Sequence, residues 1–298
     1  IATEPGSGGS SGSGGSSGSG SSRGGSDKET SGEKEDSGGS ENTDTGNNDS
    51  ENNDQSTDNT GLISVEATID ESGNYTAVIN DTKQENVKDG KVTIEVKGAE
   101  QGNQVVVKMT YDFVNAASNA NAKVIEVNTG LANVELPISL FSNAKEAGEV
   151  ELHVNKVDKS QLSEEVRSRV GQNTVFEFNL SVGGQKLGNF GANQKVKVSY
   201  PYSLAAGVRP GRVVVYYIDD NGKFEVIKNG RYNNGAINFK TEHFSKYVAI
   251  PVEIGLKDIY EATWATDSIE SLTARGIVKG VSADSFLPMK EVTRAEFV

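Results

Sequence analysis

The sequence predicts a mainly β protein: one or two antiparallel β-sandwich domains behind a disordered linker, with a short helical segment at the C-terminus. Three observations carry that expectation. Between residues 61 and 251, short runs rich in Val, Ile and aromatics alternate at period 2. Asn-Gly pairs at 221–222 and 234–235 stand beside such runs, and Asn-Gly accepts the positive φ angles of tight hairpins. Beyond residue 256 the apolar spacing lengthens to that of a helix.

Residues 1–60 come first. Of residues 1–26, twenty are Gly or Ser, and 27–60 are mostly Asp, Glu, Asn, Ser and Thr with no aromatic or branched aliphatic residue. Such a segment cannot offset the entropy of ordering its backbone, so it is expected to be a flexible tether continued by a self-repelling acidic extension. It holds twelve acids against three bases, which is -9 of the net charge of -13. The remainder is mildly acidic and has no Lys/Arg patch, which argues against nucleic acid as a partner.

Strands are expected at 62–69, 75–79, 92–96, 105–111, 124–127, 134–140 and 150–157, then at 175–182, 196–200, 213–218, 224–227, 236–239 and 247–250. Between the two series, Leu162, Val166 and Val170 recur every fourth residue behind Ser160, with Glu164 and Glu165 in the first turn, as in a short capped connector helix. Two sandwiches, 61–158 and 159–251, or one larger sandwich both satisfy this pattern. At 256–298, Trp264, Ile269, Leu272 and Arg275 mark a helix stopping at Gly276, and Thr293 with Glu296 forms a capping box at the start of a second.

Chemistry is sparse. There is no cysteine, hence no disulfide framework, thiolate metal site or cysteine nucleophile. His153 and His243 lie far apart with no second ligand at metal spacing. The carboxylate pairs Glu164-Glu165 and Asp219-Asp220 are adjacent and diverge, unlike the facing carboxyls of a glycosidase. Asp219-Asp220-Asn221-Gly222 is similar to the start of a calcium loop, but the twelfth position is Gly230, so a hairpin turn is expected, with at most one structural calcium and no other cofactor. No run of apolar residues is long enough for a membrane span. The chain begins at Ile1 and stops at Val298 inside a helical pattern, so it reads as a piece of a longer protein whose signal peptide would lie outside it.

The series Asp258, Trp264-Ala265, Ile269, Leu272, Gly276-Ile277, Gly280, Phe286, Pro288 and Thr293-Arg294-Ala295-Glu296-Phe297 closely resembles the start of an S-layer homology domain. It departs in carrying Leu256 where the family has an aromatic, and in showing part of one repeat where the family has three in tandem. The resemblance implies non-covalent attachment to secondary cell-wall polysaccharide, commonly an anionic pyruvylated glycan, on the surface of a Gram-positive-type bacterium. By position it implies that Arg294 meets the anionic group, Trp264 offers a ring face to a sugar, Gly280 permits close backbone approach, and Asp258 and Glu296 orient the site. Plainer roles stand beside these: core for Trp264, solvated surface for Arg294, and, favoured for the other two, a turn for Gly280 and helix capping for Glu296. Residues 196–250 are also similar to modules that precede such repeats in large surface proteins and glycoside hydrolases. The expectation is therefore a non-catalytic anchoring and display segment. The alternatives are the C-terminal part of a surface polysaccharide hydrolase, or a β-sandwich adhesin or carbohydrate-binding module using Tyr200, Tyr202, Tyr216 and Tyr217.

Overall fold

A computed structural model describes residues 55–57, 61–142, 148–191 and 193–297 of the protein. Most of the expected linker, 1–60, lies outside the described residues. Along the chain run β1 (Gln55–Thr57), β2 (Leu62–Glu66), β3 (Thr68–Ile69), β4 (Tyr75–Ile79), β5 (Val87–Lys88), β6 (Lys91–Lys97), β7 (Gln104–Met109), helix α1 (Tyr111–Asn119), β8 (Val124–Asn128), β9 (Asn133–Pro137) and β10 (Val150–Lys156). Helix α2 (Glu164–Val170) follows, then β11 (Val175–Val182), β12 (Gln185–Lys186), β13 (Val196–Pro201), β14 (Val213–Ile218), β15 (Phe224–Val226), β16 (Arg231–Asn233), β17 (Ala236–Thr241) and β18 (Lys246–Pro251). Helices α3 (Thr266–Ala274) and α4 (Arg294–Phe297) close the chain.

The mainly β expectation holds, and the strands form two sheets. One has the order β1-β2-β6-β8-β9-β13-β17-β16, with β5 on β6; the other has β15-β14-β18-β11-β10-β7-β4-β3, with β12 on β11. Each sheet takes strands from both sides of residue 158. They meet where β9 pairs with β13 and β10 pairs with β11.

The sheets are mixed, where the sequence led us to expect antiparallel ones. β2 with β6, β6 with β8, and β4 with β7 run parallel. The reason is the path of the chain: β2, β4, β6, β7 and β8 alternate between the two sheets. Neighbours in one sheet are thus separated by a full excursion through the other, which is the crossover a parallel pair requires. One excursion contains α1, to which the sequence reading gave no element beyond Tyr111, placed at the end of a strand. Thr110 caps it, its hydroxyl accepting from the Phe113 amide at 3.2 Å, and Phe113, Val114 and Ala117 are buried.

Inward-facing residues at period 2 fill the space between the sheets, among them Ile63 and Val65, Ile94 and Val96, Leu152 and Val154, Phe178 and Leu180, and Val213 and Val215. β14 is buried on both faces. Its outward residues Val214, Tyr216 and Ile218 pack with Val166 and Val170 of α2, which therefore covers the sheet as well as connecting strands. Each such valine contributes roughly 1.5–3 kcal/mol. The cap of α2 is Ser163, which accepts from Val166 at 3.3 Å; Ser160, the residue expected there, belongs to a preceding 3-10 turn at Lys159–Gln161. Asn234-Gly235 is a two-residue turn with both φ angles positive, as the pair's chemistry requires.

Candidate functional site

Past β18 the chain builds a small satellite core from Leu256, Ile259, Ala262, Ala265 and Ile269, against which Ile254 and Phe286 pack. Leu256 is buried there, so an aliphatic residue fills the position where the family pattern has an aromatic. Helix α3 ends at Gly276, φ +64°, with the Gly276 amide donating to the Thr273 carbonyl and the Ile277 amide to that of Leu272, both at 2.9 Å. This paired closure satisfies the last carbonyls and needs a left-handed residue, hence glycine.

Asp258 is committed to the chain itself. Its carboxylate accepts from the Ser285 hydroxyl at 2.6 Å and from the amides of Phe286 at 2.9 Å and Leu287 at 2.8 Å. These donors, Ser285 first, lower its pKa from 3.8 to about 2. A carboxyl depressed on folding stabilises above its unfolded pKa and loses that contribution as pH falls through the folded one. The Phe286 and Leu287 amide resonances are therefore expected to titrate with a midpoint near 2, and a midpoint near the ordinary 3.8 would contradict this tie.

Gly280 is likewise set by packing. A Cβ there would overlap the Ser285 carbonyl and come within 2.7 Å of the Ser282 carbonyl and 2.9 Å of Leu256 Cδ2. Glu296 completes the capping box: it accepts from the Thr293 amide at 2.9 Å, while its own amide donates to the Thr293 hydroxyl at 3.3 Å. Lys290 also donates to it at 2.9 Å, and these partners, the Thr293 amide first, lower its pKa to about 2. Trp264 stands 82% exposed, the reverse of a core residue. Arg294 is exposed at the start of α4 and has no partner among the described residues. A cation is mildly disfavoured at that end of a helix. No hydrogen bond or ion pair links any two of the five among the described residues. Exposed large apolar side chains gather in this segment: Trp264, Ile277, Val281, Met289 and Val292 join Tyr260 and Leu287, with Ile69 the one such residue elsewhere among the described residues.

The sequence reading missed the joint between this segment and the sandwich. Arg275, 2% exposed, donates to the carbonyls of Gly211 at 2.8 Å, Gly230 at 3.0 Å and Val213 at 3.0 Å, and to that of Ser271 in its own helix at 2.8 Å. Burial, and secondarily Arg231, lowers its pKa to about 10, which leaves it charged at neutral pH. One turn earlier, the buried Glu270 accepts from Arg212 at 2.6 Å and from the Tyr260 hydroxyl at 3.3 Å, with Arg209 at 3.5 Å. The Glu270 bond raises the Arg212 pKa. Arg209 reaches Asp267 as well, at 3.0 Å. The only sequence signal was a charged stripe on α3 that looks like an ordinary solvated face.

Elsewhere, His153 lies 3.2 Å from Glu151, and His243 packs edge-on against Tyr217 with ring centroids 4.6 Å apart. Asp219 turns its carboxylate onto the amides of Asn221 and Lys223 at 2.9 and 2.8 Å, a hairpin loop arrangement. Among the described residues no three His, Cys, Asp or Glu are grouped to hold a metal. Tyr200 and Tyr216 are buried and Tyr202 and Tyr217 half-buried, so the four do not form an exposed aromatic row.

The structure thus defines a β-sandwich module with a helical appendage fastened to one end of it. The appendage, residues 255–298, matches the family model of the S-layer homology domain. The chain is also similar to an amylopullulanase of Thermoanaerobacterium thermosulfurigenes, 30% identical over 214 residues; the match takes in 71% of this chain and 11% of that protein. This chain therefore spans a small part of its relative's length. No solved structure matches it. The S-layer homology match points to cell-wall anchoring, and with the relative it points to a secreted or cell-surface protein. Among the described residues no helix is long and apolar enough to cross a membrane.

Proposed function

We propose that this chain is a non-catalytic anchoring and display segment of a larger secreted protein, binding secondary cell-wall polysaccharide on a Gram-positive-type surface. The observation that carries this reading is the S-layer homology match at 255–298, within which Trp264 is exposed and Arg294 is exposed with no partner among the described residues. Arg294 would pair with an anionic group of the glycan, and the Trp264 ring would cover the C–H face of a sugar. Asp258, Gly280 and Glu296 would act from behind, fixing the 280–287 loop and the start of α4.

The test completes this repeat, adds two more to make three, and measures co-sedimentation with purified, protein-free cell walls. Arg294→Ala is expected to weaken binding roughly tenfold or more, as loss of a charge-assisted contact does. Binding that survives both Arg294→Ala and Trp264→Ala at full strength would remove this assignment.

A second reading, favoured by the amylopullulanase match, makes the parent a surface polysaccharide hydrolase whose catalytic domain lies elsewhere in the protein. The present segment is inactive under both readings, and polysaccharide hydrolysis by the 298-residue chain alone would overturn both.

A further inference from the structure

No stretch of the sequence is rich in Lys or Arg, but folding brings five such residues together beside the joint with α3. Lys195 and Lys197 come from the start of β13, Lys240 from β17, and Lys228 and Arg231 from either side of the turn between β15 and β16. Lys197 and Lys240 stand directly opposite each other, and Arg231 is opposite Asn238 of β17. Like charges facing each other across a ladder are destabilising. Carboxylates answer only two of the five: Lys195 pairs with Glu242 at 3.1 Å, and Lys197 with Glu135 at 2.8 Å, which Lys91 shares at 3.4 Å. Lys228, Arg231 and Lys240 pair with no carboxylate among the described residues, and Arg231 reaches only the carbonyls of Lys228 and Gly230, at 3.5 and 3.4 Å. In a chain with 42 acids against 29 bases, three neighbouring cations left without an acid call for a ligand.

A recess of about 250 Å3 lies among these residues, lined by Lys195, Lys228, Asn229 and Lys240 together with Glu242 and His243. Its three lysines are exposed, so an anion in solution meets them directly. The recess is below the roughly 300–1,000 Å3 of a small-molecule site, which suits one charged unit of a polymer lying across the surface. The surrounding backbone is fixed. Asn229 donates its amide to the Lys240 carbonyl at 2.9 Å and accepts from the Lys240 amide at 2.7 Å. The neighbouring Gly230 carbonyl accepts from Arg275 Nε at 3.0 Å. The turn that carries Lys228 and Arg231 is thus tied to β17 on one side and to α3, within the S-layer homology match, on the other.

We infer that this basic recess is a second anion site, and that it holds charged groups of the cell-wall polymer where that polymer runs from the S-layer homology segment onto the sandwich. The identity of the polymer rests on the anchoring reading above; the site does not. Lysine ammonium groups act as point charges, so carboxylate and phosphodiester groups are both admitted, and the ligand is an anionic polysaccharide. Each exposed contact is weak alone. Its effect comes from engaging the same polymer chain at two sites held at a fixed separation.

The test titrates the 298-residue chain with polygalacturonate, polyglycerol phosphate, dextran and duplex DNA, followed by amide NMR at about 0.15 M salt. At least one of the first two is expected to shift the resonances of 195, 228–231 and 240, and the tighter of them identifies carboxylate or phosphate as the preferred group. Lys228→Gln combined with Lys240→Gln is expected to weaken that binding about tenfold at an unchanged melting temperature. Lys97→Gln combined with Lys186→Gln, which removes the same charge from exposed positions elsewhere, is expected to leave it unaltered. Because the readout is confined to 195–240, its failure leaves wall binding by the completed module standing, and failure of that wall binding leaves these shifts standing. No shift with either anionic polysaccharide, equal shifts with dextran, tighter binding to DNA, or equal losses in the two double variants would overturn the inference.

Discussion

Replacing Arg275 with alanine is expected to free α3 from the sandwich at a cost of about 3 kcal/mol. The side chain is almost wholly enclosed and supplies donors to three carbonyls on the sandwich side, those of Gly211, Val213 and Gly230. Truncation leaves those acceptors unpaired beside a cavity, and a buried group deprived of its partner costs about 1–3 kcal/mol. Not every carbonyl remains dry once α3 shifts, which keeps the total well below the sum. Calorimetry should split one melting transition into two, the appendage melting first. Arg275→Lys is not expected to rescue it, because one ammonium cannot reproduce a fork that spans the 211–213 turn and the loop at Gly230. An unchanged melting profile would show that α3 is held to the sandwich without Arg275, by packing such as that of Ala274 against the cluster of Val214 and Val248.

Glu270→Gln is expected to have an effect of similar size by a different route. The Glu270 side chain is 1% exposed and faces Arg212 and Arg209. Removing its charge strands two cations, and removing one partner of a buried pair costs roughly 3–5 kcal/mol. Arg209 is substantially solvated, so the lower end of that range applies. Asp267→Asn supplies the control: its side chain is 92% exposed and its pairing with Arg209 is worth about 0–1 kcal/mol. Urea midpoints for the two variants should differ clearly, and high salt should not close the gap, since enclosed charges are little screened. Equal midpoints would mean that Glu270 is not the charge that holds α3. Both large predictions act on one helix, so a double variant should lose less than the two losses added together.

Local patterns were legible in the sequence, and long-range ones were not. β11 and β14 fall at the expected residues because alternation and β-branched content are written in each strand. The capping box at Thr293 and Glu296 and the glycine closure at Gly276 were legible for the same reason, since both are satisfied within one turn. Helix α1 was missed because the apolar run of β7 leads straight into it, and only Thr110 marks the change. The parallel pairs were missed because period 2 does not say in which sheet the next strand lies. At the site, Trp264 and Arg294 stand exposed, whereas Asp258 is occupied by Ser285, Phe286 and Leu287, a contact across more than twenty residues that no spacing rule reveals, and Gly280 is closed in by the Ser282 and Ser285 carbonyls of its own loop. Arg275 was the hardest to foresee. A charged residue in the last turn of a helix ordinarily lies in solvent, and its burial depends on carbonyls over forty residues away.

These contacts give the anchoring proposal a mechanical form. The carboxylate of Glu270 and the guanidinium of Arg275 fasten α3 to the sandwich, so force on the wall-binding segment would pass into a β structure rather than a loose hinge.

The most direct test is binding of the completed module to two preparations of the same cell walls, one intact and one stripped of secondary polysaccharide down to peptidoglycan. Anchoring through that polysaccharide predicts saturable binding to intact walls, loss of binding on stripped walls, and competition by the released polymer. Equal binding to both preparations would contradict it.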